Sequence, residues 1–266
     1  MNIMVMAGTS DAVKIIKQLD LLEDTGIIAT TTTKYGGELA LSAGANEVLV
    51  GCLGVDDMMK IIDQKKVNLL LDATHPFASE ATKNAINAAQ KSKIPYIRFE
   101  RPTTNIEIYQ NMYLVNDFEE ASKTACELIE GIDNGNVLHL AGVSTITPII
   151  NKIPPQSLVV RVLPAVYSIK KCLEMGIPSE NIVAMQGIFS KEFNRSMMEE
   201  YKINVIITKE SGESGGTRSK VEAASQLKIP VVMVKRPEIP SLENAITFSD
   251  IDELMGELKK LKQEPS

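Results

Sequence analysis

Thr208-Lys209-Glu210-Ser211-Gly212-Glu213-Ser214-Gly215-Gly216-Thr217-Arg218-Ser219-Lys220 is the stretch with the most chemical capacity. Its glycines allow close backbone approach, and it leads into a helix start, where N–H groups favour an anion. Lys209, Arg218 and Lys220 add positive charge. It lacks the Walker spacing, so it is not an ATP loop, and three glycines also suit a merely flexible loop. Asp72-Ala73-Thr74-His75-Pro76-Phe77-Ala78-Ser79 offers Thr74 and His75 as donors, with Ser79 as a helix cap. His75 could titrate near neutrality, although a lone histidine is commonly structural. Ala7-Gly8-Thr9-Ser10-Asp11 opens a helix after the first strand and suits a phosphate. It has one of the three glycines of the dinucleotide fingerprint, so an ordinary N-cap is an equal reading. Thr30-Thr31-Thr32-Thr33-Lys34-Tyr35-Gly36-Gly37 has no acidic residue to hold a ribose 2′-OH. Thr32 and Lys34 suit a 2′-phosphate instead; the plain alternative is a threonine-rich strand end. Gln186-Gly187-Ile188-Phe189-Ser190-Lys191-Glu192 follows another strand. Arg98 and Arg161 sit at strand ends, where a guanidinium can clamp a carboxylate or join a surface ion pair.

These motifs need elements to hold them. Apolar strand patterns fall at residues 2–6, 27–31, 47–50, 68–71 and 96–98, with helical patterns at 11–20, 37–43, 55–63 and 79–92 between them. Further strand patterns fall at 137–141, 158–162, 182–185, 204–208 and 231–234. The helical patterns among them are 144–151, 164–174, 191–201 and 217–227, and 251–262 closes the chain. Continuous apolar strands alternating with helices predict parallel sheets covered on both faces. The halves also repeat. Ile94-Pro95-Tyr96-Ile97-Arg98-Phe99-Glu100-Arg101-Pro102 returns 135 residues later (229 against 94) as Ile229-Pro230-Val231-Val232-Met233-Val234-Lys235-Arg236-Pro237. Each half therefore reads strand, loop, helix, strand, Arg-Pro turn, short strand, helix. The expected fold is α/β, two similar Rossmann-like domains with parallel sheets and a ligand cleft between them. Asp133-Asn134-Gly135-Asn136 is a turn signal. It sets the expected domains at 1–133, dinucleotide-binding, and 134–266, substrate-binding.

The bulk numbers narrow the class. The 266 residues carry a net charge of −6, which argues against general nucleic-acid binding. No apolar run spans a bilayer, and the first residues lack the layout of a signal peptide. Cys52, Cys126 and Cys172 read as reduced cytoplasmic thiols. With only His75 and His139 as histidines, no metal site is expected.

With these residues placed, the chain resembles the precorrin-6A reductase family of cobalamin biosynthesis, including its cobalt-precorrin form from the anaerobic route. The resemblance rests on Gly8-Thr9-Ser10-Asp11, Asp72-Ala73-Thr74-His75-Pro76-Phe77-Ala78, Asn84-Ala85 and Arg98 with Arg101-Pro102. It continues through Gly187 with Phe189, Thr208-Lys209-Glu210-Ser211-Gly212, Lys220, and Pro230-Val231-Val232-Met233-Val234 with Arg236-Pro237. It implies an oxidoreductase that uses NADPH to reduce one ring double bond of a carboxylate-rich corrin precursor, cobalt-precorrin-6A. The cofactor supplies the hydride and the protein supplies positioning and a proton route. Two departures stand out: Gly187-Ile188-Phe189 replaces a usual Gly-Pro-Phe, and Ala141-Gly142-Val143 lacks a usual arginine. Strand two offers Lys34 where relatives can carry arginine, which leaves NADH use open.

The resemblance implies a role for each motif. Gly8, Thr9, Ser10 and Asp11 are expected to hold the pyrophosphate, with Thr32 and Lys34 near the adenosine ribose. Thr74, His75 and Phe77 are expected to line the nicotinamide or substrate side. Lys209, Ser211, Gly215, Gly216 and Thr217 are expected to face tetrapyrrole carboxylates, with Arg98, Arg161 and Gly187 also on the substrate. His75, Lys209 and bulk water compete as proton donor. The expected partners are the small-molecule tetrapyrrole and neighbouring enzymes of the pathway, with no nucleic acid or membrane. Rival readings are another NAD(P)H oxidoreductase of an anionic small molecule, a two-lobed non-enzymatic ligand-binding protein, and a sugar-nucleotide transferase.

Overall fold

The computed structural model describes residues 1–104 and 110–263. β1 (Asn2–Met6) is followed by α1 (Ser10–Asp20), β2 (Gly26–Thr31), α2 (Lys34–Ser42), β3 (Glu47–Val50) and α3 (Val55–Gln64). Next come β4 (Leu69–Asp72), α4 (Ser79–Ser92), β5 (Tyr96–Phe99), β6 (Met112–Val115), α5 (Phe118–Ile129) and β7 (Asn136–His139). After these run α6 (Thr147–Ile150), β8 (Leu158–Val162), α7 (Val166–Glu174), β9 (Ile182–Ala184) and α8 (Lys191–Glu200). The last elements are β10 (Ile203–Lys209), α9 (Thr217–Gln226), β11 (Val231–Val234), β12 (Ile246–Phe248) and α10 (Ile251–Gln263).

Two six-stranded sheets result, ordered β12-β5-β4-β1-β2-β3 and β6-β11-β10-β7-β8-β9. All pairings are parallel, as the unbroken apolar strands predict. The first sheet has the dinucleotide-fold order, and the second has the same layout except that its outer strand, β6, comes first in the chain. The strand sequence reverses beside β1 in one sheet and beside β7 in the other, which is where sheets of this kind receive ligands.

The expected border at 133/134 is corrected. The first unit comprises Met1–Pro102 and Glu238–Ser266, and the second Thr103–Pro237. After the first Arg-Pro turn, β6 pairs with β11; after the second, β12 pairs with β5. Each half thus gives its last strand and helix to the other half's sheet. Local pattern cannot reveal this, because swapping two equivalent segments leaves every periodicity unchanged.

The repeat extends to hydrogen bonds. Asn2 N–H donates to Asn68 Oδ1 (2.7 Å), and Asn2 Nδ2 donates to the Lys65 carbonyl. In the second unit Asn136 N–H donates to Asn204 Oδ1 (2.9 Å), and Asn136 Nδ2 donates to the Tyr201 carbonyl. Lys66, Lys93, Lys202 and Lys228 take left-handed φ of 52°, 56°, 50° and 59° just past α3, α4, α8 and α9.

In the first unit, Ala12, Ile15, Ile16 and Leu19 form the stripe by which α1 buries itself on β1 and β2, joined by Leu254, Met255 and Leu258 of α10. Met58, Ile62, Ala85, Ala88 and Ala89 of α3 and α4 cover the opposite face. In the second unit, Met197, Met198, Val221, Ala223 and Ala224 of α8 and α9 pack on β10 and β11. Two local expectations shift. The predicted helix 144–151 is a 3-10 turn, Val143–Thr145, followed by the single-turn α6. Lys34-Tyr35-Gly36-Gly37 forms the first turn of α2, because Thr33 caps it.

Candidate functional site

In the first unit, the loops after β1 and β4 meet at the crevice. Thr9 caps α1 by accepting from Ala12 N–H (3.0 Å) and donates to the Ala73 carbonyl (2.9 Å). The hydroxyl is therefore already committed, and the donors left at this helix end belong to Ser10 and Asp11. Gly8 has φ of 111°, with open space where a Cβ would point. Asp11 is buried and ion-paired with Arg101 at 2.7 Å. Its side chain is thus neutralised by the Arg-Pro turn, and it offers a phosphate only its backbone.

Asp72, at the end of β4, is the hub of a buried network. Its carboxylate accepts from Thr74 N–H (2.9 Å) and Oγ1 (2.7 Å), Thr82 Oγ1 (2.8 Å), Tyr96 Oη (2.9 Å) and Arg98 Nη1 (2.7 Å). Burial, reinforced by Asp72, pushes the Tyr96 phenol well above its usual range, so Tyr96 stays a neutral donor. Arg98 also donates to Thr74 Oγ1 and to Glu100. Arg98 is 1% exposed. This corrects the expectation that it clamps substrate: its guanidinium is spent inside the unit. What it does is brace the 72–75 loop. There His75 Nδ1 accepts from Phe77 N–H (3.2 Å), which leaves the proton of a neutral imidazole on Nε2. The His75 and Phe77 rings lie 5.8 Å apart. Ser79 does not cap α4; Ala78 holds the cap position.

Beyond these loops lies a cavity of about 260 Å³ lined by Met6, Thr31, Thr32, Cys52, Met58 and Thr74 among others. It gathers Thr32 and Thr74 from the expected cofactor set. Gly8, Thr9, Ser10 and Asp11 lie on the adjoining β1 loop and helix start, and Lys34 is exposed at the start of α2. Hydroxyls rather than a carboxylate follow β2, and Glu80 is the acidic group in the lining. Ligand-sized concavity at these strand ends, with an open glycine turn beside it, fits a nucleotide.

In the second unit, Ser211, Gly215, Gly216 and Thr217 form one tight turn. Ser211 N–H donates to Thr217 Oγ1 (3.2 Å), and the two hydroxyls lie 3.2 Å apart. A Cβ on Gly215 would lie 2.0 Å from Ser211 Oγ, so only glycine fits. Glu210 secures the turn from behind, accepting from Thr104 N–H and Gly212 N–H and pairing with Arg236. Arg161 extends over the Phe189 ring at 4.9 Å and donates to Asn194 Oδ1 (2.8 Å). Gly187 turns with φ of 144° against the Phe189 ring. Lys209 ends β10, and burial lowers its pKa to about 8.

Sequence reasoning gave no role to Asn194 or Asp72, and gave Lys220 only a share of the positive charge on its loop. The signal was present. Lys220 shares a helical stripe with Ala223 and Ala224, and Asn194 with Met197 and Met198, so both face inward. Among the described residues no group of three or more His, Cys, Asp or Glu could hold a metal ion, and no helix is long and apolar enough to cross a membrane.

Residues 2–259 match the family model described as precorrin-6x reductase CbiJ/CobK. The chain is 43% identical over 261 residues to a cobalt-precorrin-6A reductase of Methanothermobacter thermautotrophicus, covering 98% of this chain and 84% of the relative. It is 39% identical to that of Methanocaldococcus jannaschii over 98% of this chain and all of the relative. It is 37% identical to that of Priestia megaterium over 96% of this chain and 97% of the relative. A solved structure titled CobK precorrin-6A reductase superposes with a TM-score of 0.76 at 18% identity, covering 100% of this chain and 99% of that one. At that identity the likeness speaks for the fold.

Proposed function

Because the chain belongs to the precorrin-6x reductase family, we propose that it reduces a ring double bond of cobalt-precorrin-6A with NADPH, in cobalamin biosynthesis. The observation that carries this reading is the near full-length likeness to relatives of that name, the first at 43% identity. Membership also implies a nicotinamide cofactor. The preference for NADPH is supported by Thr32 and Lys34 just past β2, where no carboxylate stands to receive a ribose 2′-OH. When bound, the nicotinamide supplies a hydride to one ring carbon.

The protein's own work is positioning and proton supply. In the first unit Gly8, Ser10 and Asp11 offer backbone to the pyrophosphate, and Thr32 and Thr74 line the nucleotide cavity. Phe77 and His75 stand beside it, and His75 would donate the proton as an imidazolium, with Lys209 and solvent as the other sources. In the second unit Lys209, Arg161, Gly187, Ser211, Gly215, Gly216 and Thr217 receive the carboxylate-bearing macrocycle. Neighbouring enzymes of the pathway and a cytoplasmic setting belong to the same reading.

The test is a titration of the purified chain with NADPH and NADH separately, followed by turnover with cobalt-precorrin-6A. Tighter binding of NADPH supports the role of Lys34, while a preference for NADH keeps the reductase and discards the 2′-phosphate argument. Binding of neither, in folded protein with the macrocycle present, would favour the ligand-binding rival. His75→Ala is expected to lower turnover and leave cofactor affinity nearly intact; normal turnover removes His75 from the proton route.

A further inference from the structure

The cavity of the first unit is lined by side chains whose hydrogen-bonding direction is already decided. Thr74 Oγ1 donates its proton to Asp72 Oδ1 (2.7 Å) and accepts from Arg98 Nη1 (3.0 Å). Neither partner can exchange roles, because a guanidinium only donates and the carboxylate paired with it only accepts. A hydroxyl has one proton and two lone pairs, so Thr74 keeps one lone pair and can only accept from a ligand. Thr31 Oγ1 gives its proton to the Thr33 carbonyl (3.0 Å), and it too can only accept. Asn84 Nδ2 lies 3.5 Å from the Leu53 carbonyl, which commits the amide nitrogen to the loop after β3 and leaves Oδ1 as an accepting end.

Glu80 adds a carboxylate to the same lining. It stands in the first turn of α4, where an acidic side chain is an ordinary complement to the helix dipole. It is exposed, and no ion pair or side-chain hydrogen bond holds it among the described residues. The end of β2, the loop after β4 and the start of α4 thus all present acceptors, which calls for a ligand carrying N–H donors. The walls are apolar: Met6, Ala7, Leu53, Met58 and Ala81. About 260 Å³ between such walls suits a flat bicyclic ring and is too small for a tetrapyrrole. Thr32 lines the cavity just past β2, and Lys34 follows. That is the ribose end of a dinucleotide site, so the ring beside it is the purine and not the nicotinamide. Adenine carries a 6-amino group with two N–H donors. Hypoxanthine carries a carbonyl oxygen there, which would face a carboxylate with no proton between them.

We propose that Glu80 and Thr74 select the base of the cofactor, accepting hydrogen bonds from the 6-amino group of adenine. This rests on reading the first unit as the dinucleotide's holder. The buried Asp72–Arg98 pair then acts on specificity as well as on the loop it braces. A threonine with a free proton could serve an amino group or a carbonyl equally. Held between Asp72 and Arg98, Thr74 cannot turn a proton towards a carbonyl, and a group left unpaired in the cavity is what rejects the wrong base.

The test compares NADPH with its reduced hypoxanthine analogue, in which a carbonyl replaces the 6-amino group. Both are titrated into the wild type, Glu80→Gln and Glu80→Ala. The wild type is expected to bind NADPH at least about tenfold more tightly than the analogue. In Glu80→Gln the side-chain amide can offer either end, so the ratio should shrink to about twofold. In Glu80→Ala it should also collapse, through weaker NADPH binding and unchanged binding of the analogue. A merely structural role would weaken both dinucleotides alike and leave the ratio intact. Cys52, exposed in the same lining, reports on position without any variant. Its alkylation by iodoacetamide, followed by mass spectrometry, should slow with saturating adenosine 2′-phosphate and not with reduced nicotinamide mononucleotide. Equal wild-type affinity for the two dinucleotides overturns the proposal, as does a ratio that survives in both Glu80 variants. Protection of Cys52 by the nicotinamide fragment alone overturns it by moving the cavity to the other end of the cofactor. A wild type that binds no dinucleotide fails one step earlier, at the reductase reading itself.

Discussion

His139 ends β7 with no exposure, its Nε2 2.9 Å from Thr145 Oγ1 and 3.3 Å from the Gly142 carbonyl. Burial holds its pKa at about 4; the Gly142 carbonyl pulls upward and Lys209 pushes further down. Between that value and the ordinary 6.5 the unfolded chain binds more protons than the folded one, so stability falls as pH drops through the window. The loss is on the order of 3 kcal/mol across the full window. Urea midpoints at pH 7 and 4.5 should diverge in the wild type and converge in His139→Gln; equal divergence in both would place the acid sensitivity elsewhere. Single residues were also where sequence reading went furthest astray. Arg98 looked available because strand ends often feed a site, yet β5 lies in a sheet covered on both faces, where a charge must be paired. Its repeat counterpart is Met233, and the residue opposite Met233 is Thr208 where Arg98 faces Asp72. The ion pair therefore belongs to one copy alone, which a reading built on likeness between copies passes over.

Elements were more legible than residues. β1, β3, β8, β11 and α4 stand where their apolar patterns placed them, because continuous burial leaves little freedom in where a strand begins. Loops depend on single contacts that periodicity does not carry, so the predicted cap at Ser79 and the helix at 144–151 moved. The 210–217 turn shows how sharply such contacts act. Gly215→Ala drives a methyl into Ser211, whose hydroxyl sits against Thr217. Macrocycle affinity should fall at least about tenfold while NADPH affinity holds, since binding geometry tolerates little displacement. Unaltered macrocycle binding would show that the turn is not part of the site. Gly256, within α10, is the opposite case, with nothing within 4 Å of an added Cβ. Gly256→Ala should raise unfolding stability by about 0.5–1 kcal/mol, measured by urea denaturation.

At the scale of the whole molecule, the sequence showed two α/β copies and hid their exchange. A cut at 133/134 would leave β6 and α5 on the fragment whose sheet they do not join, and β12 and α10 likewise. The fragment 103–237 is therefore expected to unfold cooperatively on its own, whereas 134–266 is expected to be poorly folded. Circular dichroism melts of the two fragments decide the matter; a cooperative 134–266 would argue that the exchanged strand is dispensable. The same exchange sets a timetable for synthesis. The ribosome makes β1 to β5 first, but the strand that covers the β5 edge is released only after the entire second unit has been made. The half born first is the half finished last, and throughout that interval its outer strand waits with open hydrogen-bonding groups.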